Sequence, residues 1–234
     1  MKFWLGVALL MLALTARAAG LEDARELYRD GSFLEASQSA AALGSSDGFA
    51  FAARALSVHA GMQPRAQQEA LYAQCERYAR RALELDAKNA DGYFELGAAL
   101  GLLGNLRGAA YAFTNGIATQ TKTNFERALE LEPRHVLALV SLGRWHAEIV
   151  SRGVGFLFGG DAGRVTVLFD RALAADPRSV FVPLEYARAL LTLDETRNKA
   201  RARALLEQAV KLQPRDALER RQLASAEREL AKLR

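Results

Sequence analysis

Cysteine occurs once in these 234 residues, proline five times and tryptophan twice. A single cysteine, Cys75, forms no disulfide within the chain, so no cross-link staples the fold and packing must hold it. That thiol shares a helical face with Leu71, Tyr78, Ala79 and Ala82, a pattern that reads as buried and inert. No C-x2-C pair is present, and His59, His135 and His146 fall in different segments, so no zinc site is expected. Alternating β-branched runs are almost missing, which argues against sheet. The formal charge of +4 is too small to argue for nucleic acid. No stretch reaches the ~20 apolar residues that a membrane-crossing helix needs.

The longest apolar stretch is the twelve residues Phe3–Leu14, preceded by Lys2 and followed by Ala16-Arg17-Ala18. That layout reads as a signal peptide, residues 1–18, cleaved before Ala19, the alternative being an uncleaved anchor or a buried first helix. It implies export by a bacterium, with the periplasm as destination. No cysteine follows the apolar run, so lipid attachment at an N-terminal cysteine is not supported.

What is present in abundance is repetition. Arg-Ala-Leu-Glu-Leu-Asp at 81–86 returns as Arg-Ala-Leu-Glu-Leu-Glu-Pro at 127–133 and as Arg-Ala-Leu-Ala-Ala-Asp-Pro at 171–177. A fourth version, Gln-Ala-Val-Lys-Leu-Gln-Pro, fills 208–214. Ala82, Ala128, Ala172 and Ala209 are therefore 46, 44 and 37 residues apart. A helix end followed by a proline stop, recurring at such intervals, marks stacked helical hairpins. No hairpin of this kind can bury its apolar face alone, so neighbours stack and leave an extended inner wall.

The clearest unit starts at Asn89. Tyr93-x2-Leu96-Gly97-x2-Leu100, with Ala109-x3-Phe113 behind it, resembles the tetratricopeptide repeat (TPR). Gly97 and Ala109 read as small residues at a helix crossing, with Gly104 at the turn between the helices. Apolar phase continues through Ala110, Phe113, Ile117, Phe125 and Ala128, predicting one extended second helix over 106–131. Leu139-x2-Leu142-Gly143-x2-His146 opens the next unit, resumed after an interruption by Val165-x3-Phe169. Tyr186-Ala187-x2-Leu190 opens the last. The predicted fold is all-α: a right-handed α-solenoid of about five TPR-like hairpins over 19–214, with elongated second helices. A capping helix over 215–234 closes it. The layout is also similar to the TPR-like component associated with TRAP transporters. That narrower resemblance implies a periplasmic partner and an apolar ligand channel.

In the TPR family the first helix of each hairpin lines the concave side. Transferred to this chain, the resemblance implies a groove of Asp91, Phe94, Ala98 and Leu102, then Leu137, Val140, Arg144 and Glu148. Phe181, Leu184, Arg188 and Leu191 complete it. Arg144 and Arg188 either clamp a carboxylate through forked hydrogen bonds or pair with Glu148 or Glu185. The glycine-rich stretch 152–164 lacks the Gly-Lys-Ser/Thr of a phosphate loop, so Phe156 and Phe158 read as an insertion that packs on the stack or contacts ligand.

Nothing in the sequence assembles a catalytic constellation, and the expectation is a protein without enzyme activity, cofactor or metal. The favoured function is a periplasmic scaffold or adaptor binding a protein or peptide segment in its groove, with no nucleic-acid partner. The alternative is a carrier of a small apolar ligand in an enclosed channel. From Arg197 to Arg234 eleven Lys/Arg face five Asp/Glu. That basic end either steers an anionic partner or lipid surface or is a solvated outer face.

Overall fold

Short polar side chains start five of the helices. Ser45, Asn89, Asp161, Asp194 and Asp216 each accept a backbone N–H two or three residues on, satisfying a donor that the first turn leaves open. The computed structural model describes residues 20–233; the predicted leader and its cleavage point before Ala19 lie outside them.

Thirteen helices and no strand occur among the described residues. Helix α1 covers 20–30 and pairs with α2 (Phe33–Ala42). The second hairpin is α3 (Ser46–Gly61) with α4 (Arg65–Leu85). The third joins α5 (Ala90–Arg107), a short α6 (Ala109–Thr114) and α7 (Ile117–Leu131). The fourth joins α8 (Val136–Ser151), the four-residue α9 (Gly155–Phe158) and α10 (Ala162–Ala175). The fifth is α11 (Phe181–Leu193) with α12 (Glu195–Ala209), and α13 (Ala217–Lys232) covers the end. First helices pack on first helices, α3 on α5, α5 on α8, α8 on α11 and α11 on α13. Each second helix packs on the first helix of the next hairpin. This is the all-α solenoid predicted from the repeats.

Small residues fix the crossings. A Cβ on Gly97 would stand 2.8 Å from the Phe125 ring, and one on Gly143 would stand 2.7 Å from the Phe169 ring. Only hydrogen fits there, so each phenylalanine presses a ring edge against a bare backbone. Ala53 and Ala187 occupy the corresponding places in the second and fifth hairpins, fully buried. The repeated alanines Ala82, Ala128, Ala172 and Ala209 are also fully buried, where second helices press on their neighbours. The apolar interior is a chain of clusters between hairpins.

The single helix expected over 106–131 is not what forms. Gly108 (φ 92°) and Gly116 (φ 60°) take left-handed backbone that ends a helix, so α5 runs to Arg107 and α7 begins at Ile117. Gly104 sits inside α5, against Ile117, rather than at a turn. Ala109 and Phe113 belong to the intervening α6 and are exposed, Phe113 at 70%. The aromatic that fills the third crossing is therefore Phe125. Elongation does hold for α4, at 21 residues.

The stack also curls. A Cβ at Gly31, in the turn of the first hairpin, would lie 3.0 Å from Cβ of Ala217, the first residue of α13. Burial pushes the Tyr28 hydroxyl up, and the Asp216 carboxylate adds to the shift. The turn of the first hairpin thus meets the start of the last helix.

Candidate functional site

The inward rows of the first helices carry charge as well as apolar side chains, and the charges join one hairpin to the next. On α3, Arg54 Nε donates to Glu95 Oε1 of α5 at 2.9 Å, and its Nη2 pairs with Asp91 at 2.5 Å. His135 precedes α8, and its Nδ1 accepts the Ala138 N–H at 3.1 Å. That bond leaves the other ring nitrogen as the donor, and Nε2 gives its proton to Asp91 Oδ1 at 2.9 Å. Desolvation works to raise Asp91, but Arg54 and His135 outweigh it and hold the carboxyl well below the usual range. Glu95 goes the other way: burial pushes it up to about 7 despite Arg54. Three first helices are thus tied by one network.

A second network joins α8, α11 and α13. Arg144 Nη1 lies 3.0 Å from Glu185 Oε2, and Arg188 Nη1 donates to Glu185 Oε1 at 2.6 Å. Arg188 also bonds Glu229 through Nε and Nη2 and Ser225 Oγ at 2.8 Å. Glu185 is nearly buried, with 5% of its side chain accessible. Arg54 to Glu95, Arg144 to Glu185 and Arg188 to Glu229 all span 41 residues, a constant spacing that the groove assignment from the repeats overlooks.

These contacts sort the predicted groove. Phe94, Val140 and Leu184 are buried in the core, because the next hairpin covers them, and cannot form a floor. Ala98, Leu102, Leu137, Phe181 and Leu191 are half-buried on the same rows. Asp91, Arg144 and Glu148 are exposed, and Glu148 is engaged by Arg152 at 2.7 Å. Arg188 is saturated by Glu185, Glu229 and Ser225, so the two-arginine clamp does not exist as such. Arg144 differs. Its side chain is 58% accessible, and it donates no hydrogen bond among the described residues. Its contact with Glu185 is one of distance without hydrogen-bond geometry, and Glu185 Oε2 is left without a hydrogen-bond partner. Most donors of that planar guanidinium are therefore left to solvent.

The insertion residues divide as well. Phe158 is half-buried against the core cluster, whereas Phe156 stands 83% exposed and walls no closed channel. His146 is fully buried, accepting the Asp161 N–H at Nδ1 (3.1 Å), and burial lowers it to about 4. Cys75 is buried and its thiol is pushed up by desolvation. At the basic end, Arg197, Arg201, Arg203 and Arg215 pair with acids, leaving Arg220, Arg221, Arg228 and Lys232 exposed on α13. No group of three His, Cys, Asp or Glu side chains gathers as a metal site among the described residues, and no described helix is long and apolar enough to cross a membrane.

The family described as RMD1-3, Regulator of microtubule dynamics protein 1-3, matches residues 21–154, more than half of the chain. No curated protein matches. Among solved structures, TTC0263, a thermophilic TPR protein of Thermus thermophilus, is 17% identical with a TM-score of 0.64. That similarity covers 90% of this chain and 98% of the other. PilF of Pseudomonas aeruginosa is 16% identical with a TM-score of 0.53, covering 94% and 93%. At these identities the similarity speaks for the fold alone, a TPR-like helical repeat.

Proposed function

The chain belongs to the family Regulator of microtubule dynamics protein 1-3, and from that premise and its TPR-like fold we propose an exported, non-catalytic scaffold. It docks a segment of a partner protein on its inner wall. The observation that carries this reading is Arg144, an exposed guanidinium without hydrogen bonds on the inward face of α8. Leu137 and Ser141 share that face by helical spacing, and the half-buried Phe181 occupies the inward row of α11. Apolar contact beside a forked cation suits a peptide bearing a carboxylate, at its terminus or on an acidic side chain. The leader read at 1–18 supports a periplasmic location in a bacterium, and the microtubule role in the family's name is not carried over to this chain. A place within an envelope or transporter assembly fits the same reading.

A small-ligand carrier is the second reading, favoured by the contact between Gly31 and Ala217 that curls the wall back on itself. Exposure of Phe156 weighs against it, since the proposed channel would have ended there.

Capture from an envelope extract separates these readings. The chain from Ala19 retains a protein partner, Arg144→Glu loses it, and Val167→Glu on the exposed outer face of α10 keeps it. Equal capture by all three would remove Arg144 from the site. Extraction of a bound lipid-like molecule with no protein would favour the carrier. An N-terminus at Ala19 in the periplasmic fraction supports the location, and an intact leader in the cytoplasm contradicts it.

A further inference from the structure

Six large apolar side chains stand exposed among the described residues: Met62, Leu85, Phe113, Phe156, Leu157 and Val167. Four of them are not scattered. Met62 lies in the turn between α3 and α4, Phe113 in α6, and Phe156 and Leu157 in α9. Each of these segments links the first helix of a hairpin to the second. In a stack of antiparallel hairpins such turns share one edge, and three consecutive hairpins carry them. Cross-contacts place them side by side. Arg65 Nη2 donates to the Leu106 carbonyl at 3.3 Å, and Arg107 Nε bonds Glu69 at 2.8 Å, joining the second turn to the third. Lys122 Nζ, near the start of α7, would lie 3.3 Å from a Cβ on Gly159, joining the third to the fourth.

The apolar groups stand on tips. Phe113, Phe156 and Leu157 are 70%, 83% and 58% exposed on helices of six and four residues, with no walls around them. Projections of that shape suit a soft apolar layer that closes around them better than a rigid partner needing matching pockets. Charge points the same way. The segments 61–65, 107–116 and 152–164 hold Arg65, Arg107, Arg152 and Arg164 against one acid, Asp161. Glu69, Glu126 and Glu148, which engage three of these arginines, stand back from the edge on α4, α7 and α8. Exposed pairs of that kind are weak and leave the guanidinium free to exchange partners.

The geometry points to this edge as a docking surface for an anionic lipid bilayer, with Phe113, Phe156 and Leu157 entering the headgroup layer and the arginines meeting phosphates. The attachment is peripheral, through apolar burial plus electrostatic attraction. It is separate from the inner wall and does not depend on what docks there.

Cosedimentation with vesicles tests it, using the chain from Ala19, whose described residues form the whole stack without the apolar leader. The protein pellets with phosphatidylglycerol vesicles and less with phosphatidylcholine vesicles, and added salt weakens it. The triple variant Phe113→Ser, Phe156→Ser, Leu157→Ser loses about tenfold in vesicle affinity with an unchanged helical circular-dichroism spectrum. The variant Phe156→Trp shifts its emission to the blue on adding phosphatidylglycerol vesicles. The proposal is overturned if the wild-type chain stays in the supernatant, or if the triple variant pellets equally. It is also overturned if the wild type is a dimer that the variant turns into a monomer, since the edge would then join two copies.

Discussion

Arg54 and Arg144 hold the same place in the second and fourth hairpins, and each reaches a buried glutamate 41 residues on. Their settings then diverge. Arg54 is held by hydrogen bonds to both Asp91 and Glu95, with His135 completing the network. Arg144 finds Glu185 already bonded to Arg188 and is left with free donors. One repeat position has thus become a structural tie in one half of the stack and a candidate binding group in the other. The decisive neighbour is Arg188, one turn of α11 away from the shared glutamate and absent at the equivalent step after Glu95, where Ala98 stands.

The contrast breaks most visibly if the crossings beneath it fail. Phe169 is fully buried, stacked on Tyr186 at 4.7 Å between ring centres and pressed on Gly143. Phe169→Ala should cost about 3–5 kcal/mol in urea unfolding, and Phe125→Ala, beside Gly97, a similar amount. Gly143→Ala should cost about 1–3 kcal/mol, because the new methyl meets the ring at 2.7 Å. If either glycine accepts alanine without loss, the crossings are looser than described.

Acidity sharpens the first network. Glu95 in the folded chain titrates at about 7, above the ordinary 4.5, so folding retains a proton that the unfolded chain has released. Its contribution to stability is complete below about 4.5 and is lost as pH rises toward about 7. Melting temperatures of the wild type relative to Glu95→Gln should therefore fall between about pH 5 and 7 and level off above. A difference independent of pH would show Glu95 ionised throughout, an ordinary salt-bridge partner. The smallest effect concerns the edge: Phe156→Ser should change unfolding by less than about 0.5 kcal/mol, since that ring touches little.

Much of this architecture was readable in the residues. Recurring Ala82, Ala128, Ala172 and Ala209 announced the ends of successive second helices, and Gly97 announced a crossing, whereas Ala109, read as its partner there, is exposed on α6. The split of 106–131 was not, because Ala110, Phe113 and Ile117 keep helical phase across two glycines that leave the helix. Phe94, Val140 and Leu184 sit at inward positions of a repeat, but their depth depends on how closely the following hairpin covers them. Repeat position gives direction without depth. The Arg–Glu ties were legible at their constant spacing, yet the unequal repeat lengths of 46, 44 and 37 residues obscured them. Contact between Gly31 and Ala217 depends on curvature summed over the whole stack, which no local pattern encodes.

Equilibrium urea unfolding of Arg188→Ala beside Arg144→Ala tests the division of labour most directly. Losing Arg188 strips the nearly buried Glu185 of its hydrogen-bonded cation and should cost about 2 kcal/mol. Losing the exposed Arg144 should cost less than about 1 kcal/mol while abolishing partner capture. Equal destabilisation by the two, with capture intact in Arg144→Ala, would contradict the account and make both arginines parts of the frame.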